Sequence, residues 1–222
     1  MLVLLGVACG LASSPIAQVE SQLISLCTAS TKRDADIADC LSQLAADGGI
    51  VDPALSPLIE GEWALLHSTK TEFDARNPLG RRVDGSRPGL EQLFPGSAQE
   101  AEASSSPIQR AVVNAFMVTQ SLRGLQLASG GRVEQLVSTP AGNLHLNAAA
   151  SIDPATPRRV NFMFDEGYFL SSVGNVRLPY PVPFKALGKE AAGFLDTSYL
   201  SDDLRISTGN KGTTFVLRRV RR

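Results

Sequence analysis

Leu178 to Arg219 reads LPYPVPFKALGKEAAGFLDTSYLSDDLRISTGNKGTTFVLRR. Three short runs rich in β-branched and aromatic residues lie within it: Gly193–Tyr199, Leu204–Thr208 and Thr213–Arg219. Ser201-Asp202-Asp203 joins the first two, and Gly209-Asn210-Lys211-Gly212 joins the second to the third. Runs of this kind, closed by Gly, Asn and Asp turns, are antiparallel hairpins. A meander leaves unpaired N–H and C=O groups along both edges, and closure into a barrel removes them.

Upstream of that stretch the pattern changes twice. Ile16, Val19, Leu23, Leu26 and Cys27 recur at three- and four-residue steps, which predicts an amphipathic helix, and Ile37, Cys40, Leu41 and Leu44 repeat the spacing. Asp34 and Asp36 stand where acidic groups favour a helix start, and Gly48-Gly49 follows as a stop. Two or three helices are therefore expected over 1–50. Pro53 and Pro57 mark a linker, and a β domain is expected over 58–219. Gly61 to Ser68 opens it, Arg132 to Val137 and Leu144 to Ala148 alternate polar with apolar, and Val160, Phe162 and Phe164 share one face. Gly167 is expected to turn the chain into Tyr168–Val173. The apolar stretch Ala111–Leu122 reads as a buried strand pair. Pro179, Pro181 and Pro183 lack the amide donors of a ladder and predict a crossing loop or an edge. About 95–107 the sequence is polar and low in complexity, as a mobile loop would be. Eight to ten strands in total suit a small up-and-down barrel.

The composition narrows the function classes. The chain has 222 residues and a formal net charge of −1, so no basic field points to nucleic acid. Cys9, Cys27 and Cys40 match neither a disulfide framework nor a zinc spacing. Leu2–Ala12 is apolar but too short to span a bilayer, and no Lys or Arg precedes it. The Ser- and Arg-rich composition of a transit peptide is not evident; a processed or truncated start and an export signal are the two readings. The sequence holds no Gly-rich phosphate loop followed by a helix, no His-Glu-x-x-His and no Gly-x-Ser-x-Gly. No catalytic residue, metal ligand or cofactor is expected, and His67 and His145 read as strand residues. Asp196 is expected to pair with an arginine on a neighbouring strand, and Asp202 and Asp203 to cap their turn.

The run Leu195–Leu200, with Asp203–Ser207 and Gly212–Leu217, resembles the plastid lipid-associated proteins, or plastid fibrillins. Pro179-Tyr180-Pro181-Val182-Pro183-Phe184, Ser106–Arg110, the Phe162 strand, Gly61-x-Trp63 and the opening helix extend the resemblance over nearly all of the chain. Gly61-x-Trp63 is also similar to the lipocalin opening, in which the tryptophan closes one barrel end beneath a late arginine. Arg205 is the first candidate for that arginine and Arg218 the second; a plain core role for Trp63 is compatible with either. The resemblance implies a mainly β fold: a lipocalin-like antiparallel barrel behind the N-terminal helices. For Gly61, Asp196, Tyr199, Asp203 and Arg205 it implies a structural role.

Trp63, Phe116, Phe162, Phe164, Phe169, Phe194 and Phe215 are expected to line the barrel, as aromatic side chains line ligand pockets. Two functions follow. In the first, the protein is non-enzymatic and binds a lipophilic molecule (carotenoid, quinone or prenyl-lipid, fatty acid) at the surface of a thylakoid or plastoglobule in the chloroplast. In the second, the barrel is filled and the chain is a scaffold for a plastid enzyme such as a prenyl-diphosphate synthase.

Overall fold

The computed structural model describes residues 14–31, 33–47, 49–69, 117–179, 184 and 191–221. The chain divides into two compact units, Met1–Asp47 and Gly48–Arg222. In the first, α1 (Pro15–Thr28) starts at Ser14, whose hydroxyl accepts from the Ala17 amide at 3.2 Å, with Pro15 already set to helical φ. It buries Leu23, Leu26 and Cys27. Asp34 and Asp36 open α2 (Asp34–Asp47), which buries Ile37, Cys40 and Leu44. Burial, with Asp36 and Asp39 nearby, pushes the Cys40 thiol up from its usual range.

The second unit is antiparallel sheet: β1 (Gly61–Ser68), β2 (Met117–Arg123), β3 (Gly131–Thr139), β4 (Gly142–Ile152), β5 (Arg159–Ser171), β6 (Arg177–Pro179), β7 (Ala192–Leu200), β8 (Leu204–Gly209) and β9 (Thr214–Arg219). Each pairs with its sequence neighbour except at β6, which lies along the far end of β5, while β7 takes β5's near end. β9 returns to β1, and eight of the nine described strands form a closed ring of pairings, with β6 appended. Closure leaves no free edge within that ring.

Two expectations change. Gly167 makes no turn: β5 runs unbroken from Arg159 to Ser171, and the break in its alternation is a bulge at Asp165, the residue left over where Asn147 faces Glu166 and Ala148 faces Phe164. The Pro53/Pro57 segment is no free linker. It forms two 3-10 turns, Pro53–Leu55 and Pro57–Ile59, that bury Pro53, Ala54 and Ile59. The segments about 70–116 and 180–183, and with them Phe116, the expected loop and much of the Pro-rich motif, lie outside the described residues.

The register assigns the faces. Gly61, Trp63 and Leu65 share a side with Leu122, Val133, Ala148, Val160 and Leu217, the core cluster. One end of the ring carries the start of β1, the end of β9 and the turns 124–130, 153–158 and 201–203. The 50–60 segment ties onto that end. Ile50 N donates to Leu200 O at 3.2 Å and Ala54 N to Pro157 O at 3.0 Å. The Glu60 carboxylate accepts from Gly124 N at 3.1 Å and Gln126 N at 3.3 Å. Gly61 admits the closure: its φ is +123°, and a Cβ there would fall 2.6 Å from Arg219 Nη1. Gly61→Ala is expected to lower stability by about 1–3 kcal/mol, because it adds backbone strain to that contact. Urea denaturation followed by circular dichroism measures the loss.

Candidate functional site

Trp63 is fully buried at the tied end, and its Nε1–H donates to Ile59 O at 3.0 Å. Two guanidinium groups stand on its ring, Arg219 at 4.2 Å from the centroid and Arg205 at 5.1 Å. Arg205 is the arginine that the Gly-x-Trp opening pointed to. The second is Arg219 and not Arg218, because alternation along β9 sends Phe215, Leu217 and Arg219 inward and leaves Arg218 exposed. Arg219 is fully engaged: it donates to Leu58 O, to Glu60 O at 2.8 Å and to Asp202 O at 2.6 Å.

Arg205 is different. It is 1% exposed, and its Nη2 donates to Gln120 Oε1. Gln120 stands on β2, three strands away round the ring (β8, β9, β1, β2), so this side chain crosses the interior. Its Nε–H has no partner among the described residues. Burial, with Arg219 adding like charge, brings its pKa down to about 9, still charged at neutral pH. Thr197 and Ser207 lie on the same inner face, their hydroxyls 3.0 Å apart and buried.

Beyond this polar band the inner face is apolar. Phe162 lies on Gly193, its register partner, so closely that a Cβ there would meet Phe162 Cζ at 2.6 Å. Phe162 and Phe164 meet edge-on at 5.3 Å, and Phe164 stacks on Phe184 at 5.6 Å. Leu65, Leu144, Leu146, Phe169 and Phe215 also face inward. All of these are only partly buried, whereas Trp63, Leu122, Val133 and Leu217 are sealed.

Of the expected lining residues, Trp63, Phe162, Phe164, Phe169 and Phe215 share this face, and Phe116 lies outside the described residues. Phe194 does not share it. It pairs with Asn161 on the outer side of β7, beneath the Arg159 guanidinium at 3.8 Å. Arg159 grips Asp196 there through Nε and Nη2, both at 2.7 Å, the cross-strand pair expected for that aspartate. Tyr199 is buried on the outer side opposite Ile206. The 201–203 turn is capped by Ser201, whose Oγ accepts from the amides of Asp203 at 3.4 Å and Leu204 at 3.1 Å. The Asp203 carboxylate instead takes Arg221 at 2.6 Å, so the capping expected of the aspartates falls to the serine before them. His145 stacks on Tyr168 at 4.6 Å on the outer face. No group of three or more His, Cys, Asp or Glu that could hold a metal occurs among the described residues. Gln120, Arg219 and Phe184 are the site residues that sequence reasoning did not single out.

The PAP_fibrillin family model matches residues 101–218. An Arabidopsis thaliana protein described as a probable plastid-lipid-associated protein 12, chloroplastic, is 38% identical over 198 residues. The match takes in 86% of this chain but spans only 40% of that relative's length. No solved structure matches the chain.

Arg219→Ala is expected to cost about 2 kcal/mol, through three lost charge-assisted hydrogen bonds and a bared Trp63 face. Arg218→Ala, one residue away and exposed, should leave the urea midpoint unchanged.

Proposed function

The chain belongs to the PAP_fibrillin family, and from that premise we propose that it binds a lipophilic molecule inside a lipocalin-like antiparallel barrel without acting as an enzyme. The observation that carries the reading is the inner wall away from Trp63, where Phe162, Phe164, Phe169 and Phe215 face inward but stay partly open. Such a wall stabilises a prenyl, polyene or acyl chain by removing its surface from water, about 0.8 kcal/mol per methylene.

The location we propose is the plastid, peripheral on a thylakoid or plastoglobule surface, in keeping with the chloroplastic, lipid-associated description of the relative. No helix among the described residues is long and apolar enough to cross a membrane. The tip of the β5–β6 hairpin, at the end of the ring opposite Trp63, holds Val173 and Val176 in its turn and Leu178 on β6, at 80%, 51% and 50% exposure. That apolar tip, on the same side of the ring as the partly exposed phenylalanines, supports transfer of the ligand to and from a lipid surface.

The alternation of β5 supplies the test. Phe162→Asp and Phe164→Asp are expected to abolish co-elution of β-carotene with the protein on gel filtration. Met163→Asp, between them on the exposed outer face, should leave it intact. Equal uptake by all three variants, with circular dichroism unchanged, sinks the reading.

A further inference from the structure

We propose that the interior selects an amphiphile with a carboxylate head, a long-chain fatty acid, held head-down on the Nε–Nη2 edge of Arg205 with its tail along the Phe162–Phe164 wall. The inference rests on the apolar-ligand reading and names the substrate class within it.

Arg205 carries a charge into the interior with one amide oxygen as its hydrogen-bond acceptor. No carboxylate among the described residues of the strands lies on the inner face, and the charge that acts on Arg205, Arg219, has the same sign. Taking a cation out of water without a counter-ion is costly, so the unfilled donor marks a position where an anion is stabilised. The geometry is specific as well. Nε and Nη2 form the edge through which Arg159, in this same protein, grips both oxygens of Asp196 at 2.7 Å. On Arg205 the same edge has Nε free and Nη2 on Gln120 Oε1, which one carboxylate replaces at both positions. Gln120 is itself only partly buried, so the side chain that the carboxylate would displace from Nη2 is in contact with solvent. Thr197 and Ser207 complete a polar floor on the inner face, with the apolar wall beyond it. Charge at the floor and grease along the wall match an ionised fatty acid better than a neutral carotenoid or quinone.

The test compares two probes that differ only in the head, cis-parinaric acid and the corresponding parinaryl alcohol, titrated by fluorescence into the full chain at pH 8. The acid is expected to bind about tenfold more tightly or better, the scale of a charge-assisted hydrogen bond made in place of a neutral one. Gln120→Glu puts an internal carboxylate on Arg205 with almost no change of shape. It should remove the preference by bringing the affinity for the acid down to that for the alcohol, and the circular dichroism spectrum checks its fold. Tight but equal binding of acid and alcohol to the wild type overturns the head-group assignment and leaves the apolar-ligand reading standing. A preference that survives in Gln120→Glu overturns the assignment to Arg205. Failure of both probes to bind overturns both readings.

Discussion

The ladder between β1 and β9 sets what is inside. Trp63 pairs with Arg219, Ala64 with Arg218 and Leu65 with Leu217, so the last strand satisfies the edge that the first would otherwise leave bare. Without it the sheet would have two open edges and no distinction between a sealed and an exposed face. With it the phase of every strand follows, because side chains alternate and registers are fixed pairwise round the ring. Among the described strands three bulges, at Leu66, Asp165 and Ser198, break that phase, and each reverses the face of the residues beyond it. Closure is thus what places a row of phenylalanines and one buried arginine against a common interior.

The same closure concentrates cost at one end. A buried guanidinium loses hydration, and an indole face returns only about 0.5–2 kcal/mol of it. Arg219 recovers more by donating to three carbonyls of the segments it ties together, and that binding of 58–60 and 202 to the last strand seals the end over Trp63. The exposed ion pairs elsewhere contribute little by comparison. Arg132 and Asp165, both over 40% exposed, hold the Asp165 carboxyl below its usual range through their hydrogen bonds, but solvent screens most of the gain. Arg159–Asp196 is better placed, partly buried and joined across β5 and β7 at both carboxylate oxygens.

Period-two alternation made most strands legible, and the hairpins of the last three were readable from their Gly, Asn and Asp turns. The departures lie at the bulges, or where the alternation of a strand decides a face that residue type alone does not. Phe194 shares its face with Asp196, two residues on, and a charged neighbour at that spacing already places it outside. Phe215, Leu217 and Arg219 likewise share a face, which selects Arg219 over Arg218. Those two were present in the letters. The continuity of β5 through Gly167 was not: a glycine after Asp165-Glu166 reads as a turn, and its actual use is to admit Phe184, which a Cβ there would meet at 2.7 Å. Gln120 was beyond reach, since its importance depends on an arginine arriving from three strands away round the ring.

Arg205 invites a purely structural account, in which it is simply the arginine that steadies the tryptophan. Arg219 already meets that need: it lies nearer the ring, 4.2 Å against 5.1 Å, and every direction of its guanidinium that carries a hydrogen bond here is anchored to the backbone. A second cation beside it adds repulsion and desolvation, and burial has lowered its proton affinity accordingly. If support of Trp63 were the whole role, an apolar side chain of similar volume would serve at lower cost, as replacement of buried charges in other cores shows. A charge kept at that cost, crossing the interior to a lone amide oxygen and leaving its Nε donor without a partner among the described residues, is stabilised further when something anionic joins it. The carboxylate end of a hydrophobic ligand meets that condition, and the apolar wall beyond the polar floor accounts for the remainder of such a molecule.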